Sequence, residues 1–351
     1  MRALTLLVLI TVVLTGHAPT AWSAVEYKIV TASERGTYIR IGQDLAALVA
    51  PSADIDLEAV PSAGSVENVR RLRFEPGVKL ALVQSDVYQG YLDMADRGNP
   101  SAANLIRPLR VIMPLYNEEI YFIVRADSEW NFVHEIANAR MNAGEMGSGT
   151  ALTSATLYRL MFDRNLPEPG TTYMSNEEAL VKLISDKSID VVAVVAGQPA
   201  KLLVDMKPEA RQLIKLLKVD PDHPTTQAAL KTYFSAIVRA SNYPSLLSED
   251  LPALAVKAFL VTYDFNPRGA GDYLRRFAQS LCSNFPALRE KGHPKWREVD
   301  LTLPALGRGW SYYSLTEREL RGCAALRRQA QSPSRPARPC TQQEQILGLC
   351  K

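Results

Sequence analysis

Apolar and polar positions follow an order that repeats three times near the start of the chain. Each repeat begins with a run of alternating or β-branched residues, continues with a polar turn, and ends with apolar residues at helical spacing. The three pairs of segments are EYKIV with TYIRIGQDLAALV, IDLEAV with VENVRRLRF, and VKLALVQ with VYQGYLDMA. Strands that alternate with helices predict an α/β fold with a largely parallel sheet.

The pattern continues to about residue 220 and then changes. The sequence predicts strands in LRVIMPLY, EEIYFIVRA and IDVVAVVA, a weak helix in FVHEIANA, and clear helices in ALTSATLYRLMFDR and NEEALVKLISDKS. After residue 225 it predicts a strand in FSAIVRASN and helices in LPALAVKAFLVTYDF, YLRRFAQSLCSNF and LTEREL. The segment QSPSRPARP has the composition of a linker.

Residues 1–24 have the three-part layout of a secretory signal peptide. Arg2 supplies a positive charge, and residues 4–14 form an apolar run. That run is about half of the ~20 residues that a membrane-spanning helix needs. Small residues follow, so we expect cleavage near Ser23 and Ala24 and export to the periplasm. A short membrane anchor is the alternative interpretation.

Length and charge exclude several classes of partner. A chain of 351 residues has room for two domains with buried cores. The formal net charge is +3, and subtracting the single charge of Arg2 leaves about +2 for the exported chain. This balance argues against nucleic acid or an anionic membrane as a partner. We expect a monomer. We also expect no cofactor, and Thr150 stands where a nucleotide-binding loop would need Lys.

The four cysteines lie late in the chain and are not spaced as zinc ligands. An even number in an oxidising compartment favours disulfides. Cys340 and Cys350 could pair locally, which would leave Cys282 for Cys323. Free buried thiols are the alternative.

The turns after the predicted strands share one physical property. In an open parallel sheet, ligands bind beyond the carboxyl ends of the strands, where helices begin. Helix amino ends carry unpaired N–H groups and a partial positive charge, which favour an anion. In GEMGSGT, Gly147 and Gly149 allow close approach, while Ser148 and Thr150 add hydroxyls. The stretch suits a carboxylate, although an ordinary turn with a helix cap explains it equally well.

Other turns leave the same two interpretations open. Gln84 interrupts an apolar strand, where a buried amide needs partners, so a ligand contact is favoured there. Asp86 is better explained as a helix cap. The further candidates are Thr37, Tyr38, Ser62, Ser65, Tyr116 and Gln198. No nucleophile, base and orienting group can be assembled from these turns, so we expect a binding protein and no enzyme.

Five motifs, taken in order, resemble the TAXI-type solute-binding proteins of TRAP transporters. They are TAS..GTYIRIGQDLA, SAGSVENVRRL, LALVQSD, GEMGSGTALTSA and VAGQPA, and GHPKWREVDL is also similar to that family. The resemblance covers roughly residues 26–313. It implies a type II periplasmic-binding-protein fold with two α/β lobes joined by a hinge, here followed by a helical C-terminal extension. It also implies capture of a carboxylate-bearing solute, such as a glutamate-like amino acid or an organic acid, for a TRAP-type permease driven by an ion gradient.

The resemblance also implies the residues that line the pocket. Carried over by position, they are Gly36, Thr37, Tyr38, Ser62, Ser65, Gln84 and Asp86 on one side, with Gly147, Ser148, Gly149, Thr150 and Gln198 on the other. Glu145 and Met146 stand beside the glycines and are expected to shift the ligand preference.

We expect the first lobe to contain residues 25–115 and 222–325, and the second lobe to contain 116–221. The chain would cross between the lobes near Leu115 and near Asp220, and residues 326–351 would form a tail. Two other functions stay open. One is a periplasmic sensor or receptor that is not coupled to transport, and the other, less favoured, is a periplasmic hydrolase.

Overall fold

The computed structural model describes residues 24–307 and 309–331 of the chain. In these residues the strands are β1 (Val25–Val30), β2 (Ile55–Val60), β3 (Val78–Gln84), β4 (Leu109–Arg125), β5 (Met141–Asn142), β6 (Thr171–Thr172), β7 (Val191–Ala196), β8 (Ile214–Leu216), β9 (Phe234–Val238) and β10 (Leu251–Tyr263). The helices are α1 (Thr37–Leu48), α2 (Ser65–Phe74), α3 (Ser85–Asp96), α4 (Pro100–Ile106), α5 (Gly149–Phe162), α6 (Asn176–Ile184), α7 (Lys201–Val204), α8 (Pro208–Arg211), α9 (Pro224–Ala229), α10 (Asp272–Lys291) and α11 (Ser314–Gln331). The predicted α/β fold class is confirmed.

The strands form one mixed sheet. Their order is β2-β1-β3-β10-β4-β7-β5-β6, with β8 beside β4 and β9 beside β10. The pairs of β1 with β2 and β3, and of β5 with β6 and β7, are parallel. All pairs that involve β4 or β10 are antiparallel. The prediction of a largely parallel sheet therefore holds for the outer strands and is wrong for the two central ones.

Both central strands differ from the sequence prediction. The segments LRVIMPLY and EEIYFIVRA join into the single 17-residue strand β4. The segment LPALAVKAFLVTY forms the 13-residue strand β10 and is not a helix. Because β10 is covered on both faces, it is apolar almost throughout, and such a run does not distinguish a buried strand from a buried helix. The predicted weak helix FVHEIANA contains only a short 3₁₀ turn, Val133–Glu135.

The molecule has two lobes that share the central strands. We call the part around β1, β2 and β3 the first lobe, and the part around β5, β6 and β7 the second lobe. On β4, apolar residues up to Tyr116 pack in the first lobe, and those from Ile120 onward pack in the second. On β10 the change has the opposite direction, because Val256 packs in the second lobe and Ala258 in the first. The chain therefore crosses twice, in adjacent antiparallel strands, as in a type II periplasmic-binding-protein fold.

The predicted crossing near Asp220 is wrong. Ala229 and Tyr233 pack into one apolar cluster of the second lobe, and Val238 and Tyr243 pack into the other. The break around Asp220 does interrupt the regular structure, but the chain stays in the second lobe until β10. The first crossing lies a few residues beyond the predicted position at Leu115.

The end of the described chain is fastened to the first lobe. Helix α11 packs on α10, and a disulfide joins Cys282 to Cys323 with a Cα–Cα distance of 6.0 Å. This pairing was one of those open from the sequence and is confirmed. The predicted signal peptide and the pair of Cys340 with Cys350 lie outside the described residues. In the part of the chain that the structure describes, no helix combines the length and apolar character that crossing a membrane requires.

The Cys282–Cys323 disulfide is expected to stabilise the folded protein. It closes a loop of 41 residues, and the loss of chain entropy in the unfolded state corresponds to roughly 2–4 kcal/mol. We expect the double variant Cys282→Ala, Cys323→Ala to lose that much free energy of unfolding. Chemical denaturation measures the loss as a lower denaturant midpoint. An unfolding free energy equal to that of the natural protein would contradict this assignment.

Candidate functional site

A cavity of about 120 Å³ lies between the two lobes. Its lining comes from the turns that follow β1, β2 and β3 in the first lobe and from the turns before α5 and α6 in the second. The polar lining residues are Ser33, Arg35, Thr37, Tyr38, Ser65, Gln84, Glu118, Glu145, Ser148, Thr150, Ser175, Asn176, Glu177 and Lys201. Both lobes therefore contribute polar groups to one shared cavity.

In the described chain, five helices begin at the cavity: α1 and α2 in the first lobe, and α5, α6 and the four-residue α7 in the second. The first turns of α1 and α2 have no side-chain cap, since Gly36 and Gly64 occupy the cap positions. Helix α5 is capped by Ser148, whose hydroxyl accepts a hydrogen bond of 3.0 Å from the Ala151 N–H. The uncapped helix ends present N–H groups and partial positive charge to a guest.

The two lobes touch around these helix ends. The Thr37 hydroxyl donates to the Gly197 carbonyl at 3.1 Å, and the Glu67 N–H donates to the Gly147 carbonyl at 3.0 Å. Gly149 also lies against the first lobe, because a Cβ there would lie 1.6 Å from Gln84 Oε1 and the Gln84 side chain would have to move. The structure is thus a closed arrangement in which the lobes enclose the cavity.

Glu118 is a buried carboxyl group in the cavity that the sequence prediction missed. It lies on β4 at the crossing between the lobes, and the Tyr38 hydroxyl donates to its Oε2 at 2.6 Å. Burial raises the pKa of Glu118 to about 8. The signal in the sequence was the charged pair Glu118-Glu119 beside apolar strand residues. Buried acidic side chains are rare unless they are paired or belong to a functional site.

Glu119 belongs to a second buried cluster at the same crossing. The Lys295 ammonium lies 3.0 Å from Glu119 Oε1 and donates to the Asn117 carbonyl at 2.9 Å. The backbone N–H and side-chain amide of Gln198 both donate to Glu119 at 2.9 Å. Gln198 therefore orders the hinge region and does not line the cavity. The Tyr116 ring lies 5.7 Å from the Lys295 ammonium and also lies outside the lining.

Asp86 connects the lobes behind the cavity. Its Oδ2 accepts hydrogen bonds from the Thr153 hydroxyl at 2.6 Å and the Tyr233 hydroxyl at 3.0 Å, and both donors belong to the second lobe. Its other oxygen accepts from the Val87 N–H at 2.8 Å. Burial is the main cause that raises the pKa of Asp86 to about 6. The predicted role as a helix cap is replaced by an interlobe contact.

The structure brings most of the predicted site residues together. The predicted residues that line the cavity are Gly36, Thr37, Tyr38, Ser65, Gln84, Ser148, Gly149 and Thr150. Ser62 lies behind its turn, where its hydroxyl is 2.6 Å from Asn68 Oδ1 and accepts from the Gly64 N–H at 3.0 Å. Gly147, Asp86, Tyr116 and Gln198 also lie outside the lining.

The sequence analysis missed most of the second-lobe residues that line the cavity. Ser175 and Asn176 begin α6 and reach the cavity, although the sequence analysis treated that segment only as a helix. Lys201 and Glu177 add one charge of each sign. A polar turn before a helix was the available signal, but nothing local indicated that this turn faces the first lobe.

Comparisons with known proteins give one family match and several structural similarities. The NMT1-like family matches residues 29–302 of the chain. The solved structure of the periplasmic binding protein BugD has a TM-score of 0.48 and 13% identity, covering 87% of this chain and 97% of that chain. PhnD1 from Prochlorococcus marinus in complex with methylphosphonate has a TM-score of 0.47 and 13% identity, covering 78% and 89%. A mutant of ArgBP from T. maritima has a TM-score of 0.45 and 11% identity, covering 78% and 92%.

We expect Asp86→Asn to change how stability depends on pH. The folded-state pKa of about 6 lies above the ordinary 3.8, so the stabilising contribution of this group is complete below about pH 3.8 and is lost as pH rises through 6. Asn stays uncharged at every pH. The unfolding free energy of the variant relative to the natural protein should therefore rise by up to about 3 kcal/mol between pH 4 and pH 8.

Denaturant unfolding at both pH values measures this difference. Asp56→Asn removes the same charge from an exposed position on β2 and serves as the control. A pH-independent difference between Asp86→Asn and the natural protein would contradict burial of an ionisable Asp86.

Proposed function

Because the chain belongs to the NMT1-like family over residues 29–302, we propose that it is a periplasmic solute-binding protein that captures a small carboxylate-bearing solute. The observation that carries the proposal is the interlobe cavity onto which helix amino ends from both lobes open. Such ends bind anions through backbone N–H groups and the helix dipole. The solute is a glutamate-like amino acid or an organic acid.

The lining has the donors that a carboxylate needs. The uncapped first turns of α1 and α2 supply N–H groups, and Ser65 stands at the second of these turns. Arg35 and Lys201 add positive charge from opposite lobes. Desolvation of the carboxylate is offset by charge-assisted hydrogen bonds, which are stronger than neutral ones.

Capture proceeds by hinge closure about the two central strands. Both crossings lie in adjacent strands, close to Glu118 on β4 and Lys257 on β10. A solute that contacts both lobes binds the closed form better than the open form, and only such a difference in affinity shifts the equilibrium.

The proposal includes delivery of the solute to a TRAP-type membrane permease after export of the protein as a monomer. The ordered motifs at the turns, from GTYIRIGQDLA to VAGQPA, support this assignment. A hydrolase of the serine–histidine type has no support, because the cavity lining in the described residues contains neither His nor Cys.

A screen of small acids tests the proposal. We expect carboxylic acids, but not their methyl esters, to raise the melting temperature of the purified protein. At about 100 times the dissociation constant, a ligand stabilises the fold by ~2.7 kcal/mol. Thermal-shift measurements, followed by mass spectrometry of molecules released from the protein, identify the solute. Unchanged melting curves across amino acids and organic acids, with no released molecule, would contradict the proposal.

Gly149→Ala is expected to weaken binding of any acid found in that screen. The new Cβ overlaps the Gln84 side chain, so either the buried amide or the lobe must move. Overpacking of this kind costs roughly 1–3 kcal/mol, or about a 5- to 150-fold rise in Kd.

Calorimetric titration measures that Kd. Gly90→Ala is the matched control, because Gly90 lies on α3 at the lobe contact and its Cβ would make only an ordinary 3.5 Å contact with Leu152. An unchanged Kd for Gly149→Ala would contradict the expectation that this contact between the lobes affects binding.

A further inference from the structure

Asp86 is a buried carboxyl group at the contact between the lobes. It lies in the first turn of α3, is 5% exposed, and is not part of the cavity lining. Its Oδ2 accepts hydrogen bonds from the Thr153 hydroxyl at 2.6 Å and from the Tyr233 hydroxyl at 3.0 Å. Both donors belong to the second lobe and are themselves buried. The burial of Asp86 therefore depends on the two lobes being in contact.

The groups that donate to Asp86 carry no positive charge. In the described chain they are the two hydroxyls and backbone N–H groups such as that of Val87. Taking an ionised carboxylate out of water is costly unless an opposite charge accompanies it, and hydroxyl donors offset only part of that cost. A protonated Asp86 avoids the cost because it is uncharged.

The charged groups on the neighbouring elements do not reverse this balance. Glu118 on β4 interacts with Asp86 as a like charge, and Arg159 on α5 interacts with Tyr233. Lys257 on β10 interacts with charged groups at the crossing between the lobes, and α4 contains no ionisable residue. Burial is the main cause that raises the pKa of Asp86 to about 6.

We propose that Asp86, Thr153 and Tyr233 form a proton-sensitive latch between the lobes, in which protonation of Asp86 favours the closed form and ionisation favours opening. The latch rests on the hinge motion of the proposed function. It goes beyond that function because a group outside the cavity controls closure. Asp86 acts through the lobe contact, so it is a positioning residue.

Closing takes up a proton from the solvent in a defined range of pH. When the lobes separate, Asp86 meets water and its pKa returns toward the ordinary 3.8, whereas in the closed protein it is about 6. Because the closed form has the higher pKa, the contribution of Asp86 to closure is complete below about pH 3.8 and is lost as pH rises through about 6. We expect closure to weaken by about 10-fold between pH 5 and pH 8 through Asp86.

One backbone N–H reports the lobe contact without any ligand. The Glu67 N–H lies in the first turn of α2, where helices leave N–H groups unpaired, and it donates to the Gly147 carbonyl of the other lobe at 3.0 Å. Its protection from hydrogen exchange, measured by NMR on the ligand-free protein, therefore follows opening of the lobes. The Lys28 N–H is the internal reference, because it donates to the Gly77 carbonyl within the first lobe at 2.9 Å.

Asp86→Asn removes the charge and keeps the shape. We expect the protection of Glu67 in this variant, relative to the natural protein, to rise by about 10-fold between pH 5 and pH 8, while Lys28 shows no such change. Comparison at the same pH removes the intrinsic dependence of exchange on pH. A ratio for Glu67 that is the same at both pH values would overturn the latch and leave Asp86 with a purely structural role.

Tyr233→Phe removes one donor and leaves the carboxyl group in place. We expect the protection of Glu67 to fall by about 10-fold at pH 8, where Asp86 is ionised, and by less at pH 5. Tyr158→Phe is the matched control, because the Tyr158 hydroxyl donates to the Ala137 carbonyl within the second lobe. An equal fall in both variants would also overturn the latch.

These outcomes are distinct from those of the screen of small acids. If no acid binds but Glu67 responds to Asp86 as expected, the latch stands and solute capture fails. If acids bind and the protection of Glu67 is independent of Asp86, solute capture stands and the latch fails.

Discussion

The antiparallel pairing of β4 with β10 is the constraint on which the rest of the structure depends. Both strands run from one lobe into the other, so the lobes cannot separate without bending at this pair. Successive residues of a strand face opposite sides. At the crossing, Glu118 therefore faces Tyr38 and the cavity, while Glu119 faces Lys295 and Gln198. One pair of neighbours therefore faces both the cavity and the crossing between the lobes.

The Lys295–Glu119 pair explains how two acids are tolerated at the crossing. Lys295 is fully buried, and its ammonium also lies 2.9 Å from Glu298 Oε2. Taking such charges out of water is costly unless they are paired and hydrogen-bonded, and here every partner is supplied by the protein. The satisfied cluster around Glu119 contrasts with Glu118, whose surroundings leave room for a donor from a guest.

Local chemistry predicted the parts of the site that depend on a single strand, turn and helix. Ser65 and Thr37 were identified because a polar turn between a strand and a helix can be recognised from the local sequence alone. Ser148 was predicted either as a cap or as a contact, and it is both a cap and a lining residue. Gln84 was identified because an amide that interrupts an apolar strand needs a partner.

Non-local pairing decided what could not be predicted. Nothing in LPALAVKAFLVTY indicates that it lies between β3 and β4, because a strand covered on both faces has no alternation. Because LPALAVKAFLVTY was predicted as a helix, the prediction had no strand there for the return to the first lobe. The second crossing was therefore predicted at the break near Asp220. Glu118 lay at the predicted strand boundary, and joining the two strands made it a buried residue at the crossing.

The two acids that closure buries are compensated in different ways. Asp86 receives its donors, Thr153 and Tyr233, from the opposite lobe, so the closed protein satisfies it without help. Glu118 receives its donor, Tyr38, from the first lobe alone, so closing brings it burial without a new partner from the second lobe in the described chain. On the proposed function, a solute held between the two lobes supplies that partner. Closure over an empty cavity then carries an uncompensated cost at Glu118, and closure over the solute does not, which is the difference in affinity that a hinge protein needs.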